Sequence, residues 1–269
     1  MFVVFKNRLA AMERRQAQRL LLGFLLGLLL SLGIAALWNN PLFHDPSRHY
    51  TYSTYRAASG VKLHAMRTDP DNIELKHIRS NVTSTEEFGI NGGFFWNGDL
   101  LSIAVINDKP IRGIPHEYGS GWTNIDYPKG TLVWDEAARS FSVQVVEGAN
   151  QLQVTDRSRY WAQGGVSMSL GAGALWQAQA RKEDMPAMKE ARLRSGAVYD
   201  KENNLWLIVS DKPCTVAEFR SAVLEVIAPG LVVDGIFLDG DGSSQMRNRQ
   251  VALKGDSREV YQMMALRHK

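Results

Sequence analysis

The sequence predicts an α+β fold: a single domain with a large mixed β-sheet and few helices, preceded by one N-terminal transmembrane helix. Three observations carry this. Short runs rich in β-branched and aromatic residues recur along the body, bounded by Gly, Asn, Asp or Pro. One helix has both a start and a stop signal. Residues 20–38, LLLGFLLGLLLSLGIAALW, hold no charge over nineteen positions.

Charge is concentrated at the N-terminus. The 269 residues carry a formal +3, but residues 1–19 hold Lys6, Arg8, Arg14, Arg15 and Arg19 against Glu13, so the tail is +4 and the rest −1. A nearly neutral body gives no footprint for nucleic acid, and no nucleic-acid partner is expected. The uncharged run spans roughly 28 Å as a helix, close to the hydrocarbon thickness of a bilayer. The positive-inside rule puts a basic tail, 1–19, in the cytoplasm and the body outside. The expectation is therefore a single-pass membrane protein with an extracytoplasmic domain, periplasmic or extracellular. Trp38 would sit at the outer interface. A cleaved signal peptide ending at Ala35 competes, with Gly33 and Ala35 as its small residues; the long basic segment and long apolar run favour an uncleaved anchor. Residues 39–58 are polar and aromatic without periodicity and read as a juxtamembrane stalk, with His44 and His49 as surface histidines. The domain proper is expected over 59–269.

Composition is that of an ordinary globular protein, 45% apolar and 22% charged. The length suffices for a sizeable core without staples. With Cys214 alone, neither an intrachain disulfide nor a cysteine-based zinc site can form.

Strand-like runs cover 61–66, 73–78, 101–106, 130–134 and 141–146. Asn107-Asp108-Lys109-Pro110 reads as a hairpin turn. Asp200-Lys201-Glu202-Asn203-Asn204 reads as another, joining 195–199 to 205–210. Thr215 with Glu218 forms a capping box, after which Val216, Phe219, Val223, Val226 and Ile227 fall on one helical face. Pro229-Gly230 stops that helix. An apolar run over 232–238 follows, interrupted by Asp234-Gly235. Strand 205–210, helix 215–227 and strand 235–239 suggest a right-handed crossover with parallel strands. A weaker helix covers 178–190, broken by Pro186.

Asp239-Gly240-Asp241-Gly242-Ser243-Ser244 closes that apolar run. A buried strand ending this way delivers carboxylates to a sheet edge, where open α/β sheets bind ligands. Its glycines let backbone amides approach an anion, and its serines add hydroxyls. On these residues alone a tight polar turn remains an alternative. An EF-hand loop needs Gly at its sixth position, which is Ser244 here. A haloacid-dehalogenase-type phosphatase needs its nucleophile early in a long chain, and only 30 residues follow Asp239.

Ile236-Phe237-Leu238 with the following Asp-Gly-Asp-Gly-Ser-Ser-Gln-Met resembles the LDGGGSS-T-M signature of the phosphodiester glycosidases. Ile90-Asn91-Gly92-Gly93-Phe94-Phe95 resembles their NGGFF segment, and Arg194-Ser195-Gly196-Ala197 their Arg-Ser/Thr-Ala strand. The last segment, Arg258-Glu259-Val260 to Ala265-Leu266, is similar to their closing strand. These matches stand in family order over roughly residues 60–269. One departure is Asp241, where the family has Gly.

The resemblance implies hydrolysis of a sugar-1-phosphodiester at the glycosidic C–O bond, on an envelope or extracellular glycan. It implies a catalytic set of Asp239, Arg194 and Asn91. Gly92, Gly93, Gly240, Asp241, Gly242, Ser243 and Ser244 would bind substrate. Physically, Arg194 offers a fork for phosphate, Asp239 a proton, and Asn91 both a donor and an acceptor. Phe94, Phe95 and Trp96 could stack on a sugar or simply pack in the core. Usual glycosidases pair two carboxylates, and Asp241, Glu117 and Asp211 are candidates for the second. His116-Glu117 lies in a loop, 113–121, of the kind that lines sites. Asn81-Val82-Thr83 fits a glycosylation sequon. Two aspartates leave room for Ca²⁺ or Mg²⁺ without making a site. A non-catalytic polysaccharide-binding or exopolysaccharide assembly factor could use the same pocket.

Overall fold

The strand Leu205–Ser210 shows how the chain builds its centre. All six residues are buried. Trp206 and Ile208 enter one apolar cluster, while Leu205, Leu207 and Val209 enter another. That is the period of two that sends alternate side chains to opposite faces of a sheet. Its neighbours divide in the same way, Leu63 and Ala65 against Met66, Val198 against Ala197, Phe237 against Ile236. A strand wedged between two cores reads as a continuous apolar run.

The computed structural model describes residues 49–267, together with Gly23, Phe24, Gly27, Leu28 and Ser31. It is mostly β-sheet with few helices. The central sheet has six strands in the order Tyr50–Arg56, Lys62–Thr68, Leu205–Ser210, Ser195–Asp200, Val232–Phe237, Val166–Ser167. One face is covered by the helix Val216–Val226 through Val216, Phe219, Ala222 and Val223. Against the other face pack residues of two five-stranded sheets. One contributes Leu132, Trp134 and Trp161; the other contributes Leu75, Ile90, Met246 and Met264.

Four expectations are corrected. The single large mixed sheet is instead three main sheets, and every ladder between the named strands is antiparallel. Strands Leu205–Ser210 and Val232–Phe237 do run parallel, but Ser195–Asp200 lies between them, antiparallel to both. The 200–204 turn explains this: a tight hairpin pairs 195–199 with 205–209 directly, leaving the later strand only the free edge. The stalk expected over 39–58 is wrong in its second half, because Tyr50–Arg56 is the edge strand of the central sheet, in register with Lys62–Thr68. The helix expected over 178–190 is Trp176–Lys182, ending before Pro186, whose missing N–H cannot continue it.

Among the described residues no helix is long and apolar enough to cross a membrane. The tail over 1–19 and the span over 20–38 lie outside the described residues, apart from the five named. The capped helix and both hairpins stand where expected. Thr215 and Glu218 form the reciprocal capping box. Asn107 and Asp108 take φ of 52° and 59°, the left-handed pair that a two-residue type I′ hairpin turn requires.

Candidate active site

Antiparallel pairing puts the end of one strand beside the start of its neighbour. The chain leaves strand Val232–Phe237 at Leu238 and Asp239, next to Arg194, which precedes strand Ser195–Asp200. The Leu238 amide donates to the Ser195 carbonyl at 3.0 Å. Strand Gly89–Asn91 ends at the same place, and the Asp239 amide donates to the Gly92 carbonyl at 3.2 Å. Asn91, Arg194 and Asp239, more than a hundred residues apart at the extremes, are thus brought together.

Asn91 is 1% exposed. Its Nδ2 donates to the carbonyls of Asp239 at 2.8 Å and Gly92 at 3.2 Å. Its Oδ1 accepts from the Ser195 hydroxyl at 2.9 Å and the Gln245 amide at 3.1 Å. All its hydrogen-bonding capacity is used within the protein. Asn91 is therefore a brace beneath Asp239 rather than a group facing a ligand, and the substrate contact expected of it is corrected.

Arg194 is also buried, and burial lowers its pKa. Nε donates to the Cys214 carbonyl at 3.1 Å, and Nη2 to the carbonyls of Ala187 at 2.5 Å and Glu190 at 2.8 Å. Nη1 has no hydrogen bond among the described residues and lies near Gly240. The guanidinium is thus pinned on one side, with one corner left to face the pocket.

That pocket holds about 220 Å³. Arg192, Arg194 and Arg258 line it together with Asp239 and Asp241. Phe94 and Leu238 give it an apolar side, and the segment Met185–Ala187 forms another wall. Asp239 lies at the bottom, closely surrounded by protein yet still partly open to solvent. Burial pushes its carboxyl up from 3.8 to about 6, against the opposing pull of the Gly240 amide and Arg258. The Ser243 hydroxyl is near enough to oppose the shift as well, but stands outside hydrogen-bond geometry; it and the Ser244 hydroxyl are buried without partners. At the rim, Arg258 pairs with Asp256 and Arg192 with Asp241.

Of the five amides in the anion nest expected over 240–244, three are taken by carbonyls and that of Gly240 is directed at the Asp239 carboxyl. Amides of Asp241, Ser243 and Ser244 donate to carbonyls of Leu193, Gly240 and Asp241. The 3-10 turn over Asp241–Ser243 satisfies the last two internally, and the segment before Arg194 takes the first. Of the residues expected to bind substrate, Gly240 and Asp241 line the pocket, whereas Gly92, Gly93, Gly242, Ser243 and Ser244 do not. Those glycines serve packing. A Cβ would stand 2.6 Å from the Gln262 side chain at Gly92, 2.6 Å from Ser102 at Gly93 and 2.1 Å from the Asp256 carboxyl at Gly242.

Asp241 has φ 54°, a left-handed conformation that Gly takes freely and Asp tolerates better than most residues. Of the aromatic wall, only Phe94 borders the pocket; Phe95 packs on Tyr261 and Trp96 is exposed. Glu117 caps its own loop at the Ile114 amide, and Asp211 pairs with His64 and Lys62 elsewhere. Asp241 is then the one candidate second carboxylate that shares the pocket.

Sequence reasoning missed Arg192 and the pocket role of Arg258. Arg192 had a signal, since it lies two residues before Arg194. Arg258 opens the segment that resembles the family's closing strand, but its place at the pocket depends on the loop between strands Ala252–Leu253 and Val260–Leu266, which local sequence does not fix. Cys214 is buried and its thiol is pushed up to about 11, which leaves it unsuited to nucleophilic work. Among the described residues no three His, Cys, Asp or Glu side chains converge on a metal position. Two carboxylates facing three guanidiniums fit a bound anion better than a divalent cation.

No family profile and no curated protein sequence matches the chain. Among solved structures, the zebrafish N-acetylglucosamine-1-phosphodiester alpha-N-acetylglucosaminidase catalytic domain, auto-inhibited by its pro-peptide, matches at 14% identity, covering 82% of each chain with a TM-score of 0.50. A hypothetical protein from Synechocystis matches at 13% identity over 81% of this chain and 62% of that one, with a TM-score of 0.44. At 14% identity, the likeness to the zebrafish domain is a distant relationship of fold.

Proposed function

We propose that this chain hydrolyses a sugar-1-phosphodiester at its glycosidic C–O bond. One observation carries the reading: a carboxyl poised at about 6 on the floor of a pocket ringed by three arginines. Near neutral pH such a group keeps a useful protonated fraction and can still part with its proton. Arginines supply what a phosphate leaving group needs, fixed positive charge that holds it as negative charge builds on its oxygens. The name of the zebrafish structure agrees with this substrate class.

In the proposed step Arg192, Arg258 and Nη1 of Arg194 hold the phosphate. Phe94 packs against the sugar. Asp239 gives its proton to the bridging oxygen as the bond to the anomeric carbon breaks. Water delivers hydroxide to that carbon and its remaining proton returns to Asp239. The products are a free reducing sugar and a phosphomonoester. Asn91 holds the backbone of Asp239 in place and touches no substrate. The setting proposed for this chemistry is an envelope or extracellular glycan, reached by an extracytoplasmic domain on the N-terminal anchor.

The test is release of free sugar from an N-acetylglucosamine-1-phosphodiester by the full-length protein. Asp239→Asn should lower the rate by on the order of 10² or more. Release of inorganic phosphate instead would indicate a phosphatase. Anion binding without sugar release from a panel of such diesters would overturn the hydrolase reading in favour of a binding protein.

A further inference from the structure

We propose that Asp241 sets the charge preference of this pocket, weakening its hold on dianionic phosphates relative to monoanionic phosphodiesters. The inference rests on reading the pocket as a phosphodiester site. It concerns a residue for which the proposed hydrolytic step has no use.

Asp241 is placed where its carboxylate opposes a bound anion. It lines the pocket beside Asp239 and Gly240. Its Oδ2 lies 3.4 Å from Nη1 of Arg192, and both side chains are about half exposed, at 53% and 48%. Its charge is felt at Arg194, Arg258 and Asp239. Asp256 partly neutralises Arg258 from outside, and the exposed Glu190 lies near Arg194. An arriving anion therefore meets three guanidiniums, of which Arg192 and Arg258 are already engaged by carboxylates. The left-handed backbone at Asp241 is a mild cost, and the side chain has no hydrogen bond among the described residues other than that to Arg192.

Why the charge matters follows from the reaction. The diester substrate carries one negative charge, whereas the phosphomonoester product carries up to two. Coulomb energy scales with the ligand's charge, so a fixed carboxylate disfavours a dianion twice as strongly as a monoanion. Without Asp241 the arginines would hold product more tightly than substrate. With it, the excess is trimmed and the product is released.

Sulfate and methyl sulfate test this directly, because they mimic the dianion and the monoanion and keep their charges near pH 5, where Asp239 is mostly protonated. Calorimetry on the full-length protein and its Asp241→Asn variant, at low salt, gives four affinities. Asn also tolerates a left-handed backbone, and Asp241→Gly, which removes the strain entirely, serves as the second variant. Loss of a half-exposed charge should tighten methyl sulfate by roughly three- to fivefold and sulfate by about the square of that factor, roughly ten- to twenty-fivefold. The squared relation, found in both variants, is the expected result. Equal tightening of the two anions, or none, overturns the proposal while leaving the pocket an anion site. Binding of neither anion to any of the three proteins would instead remove the phosphodiester reading itself.

Discussion

Asp239→Asn should make the folded protein more stable above about pH 6 while lowering its proposed activity by on the order of 10² or more. A carboxyl raised from 3.8 to about 6 binds its proton more tightly in the folded state than in the unfolded one. Below 3.8 both states are protonated, and the group contributes nothing to the balance. As pH rises toward 6 the unfolded chain has already ionised while the folded one has not, so stability falls. Above about 6 the full cost is in place. At about 1.4 kcal/mol for each pH unit between the two values, that cost is about 3 kcal/mol, and solvent at the open side of the pocket trims it to roughly 1–3 kcal/mol. Urea unfolding of both proteins at about pH 4 and pH 8 reads the difference. Other carboxylates titrate too, notably Asp108, Asp135 and Asp256, whose pKa values are lowered. They are common to both proteins and cancel in the comparison. The difference between variant and wild type should grow by roughly 1–3 kcal/mol from low to high pH. A difference that stays flat with pH would refute the claim that burial perturbs this carboxyl, and with it the basis for Asp239 as an acid.

Other expectations follow from the same geometry. Hydrolysis of the phosphodiester should fall as pH rises through about 6, as the acid form of Asp239 is lost; a profile flat from pH 5 to 8 would dismiss that role. Asn91→Ala strands the Ser195 hydroxyl, the Gln245 amide and the Asp239 carbonyl, and should cost about 2–4 kcal/mol in chemical unfolding, with wild-type-like stability refuting the brace. Thr215→Ala removes half of the capping box and should cost about 1 kcal/mol without changing sugar release. Exhaustive chelation should leave the rate of sugar release unchanged, since guanidiniums rather than a cation face the phosphate; loss restored by Mg²⁺ or Ca²⁺ would reverse that assignment.

Local chemistry was legible in the sequence, and long-range assembly less so. The capping box at Thr215 and the Asn107-Asp108 turn are set by neighbours in the chain, and both stand as read. Sheet membership depends on partners far away. Tyr50–Arg56 shows no apolar alternation because it is an edge strand with most of its residues partly or fully exposed, so periodicity passed over it. At the site, residue types were readable while orientation was not. Asn91 and Arg194 are expected to face a ligand because they stand in the segments that resemble the family's motifs and carry hydrogen-bonding groups suited to sugar and phosphate. Asn91 spends its side-chain hydrogen bonds tying together the segments around Asp239, Ser195 and Gln245, and Arg194 spends Nε and Nη2 on the carbonyls of Cys214, Ala187 and Glu190. That use is itself informative. A carboxyl kept at about 6 needs surroundings that neither flood it with water nor relax to meet its charge. Asn91 fixes the backbone below it, and Arg194 fixes the Met185–Ala187 wall beside it through the Ala187 carbonyl. Asn91 and the pinned side of Arg194 thus hold rigid the pocket that Asp239, Arg192, Arg258 and Nη1 of Arg194 line.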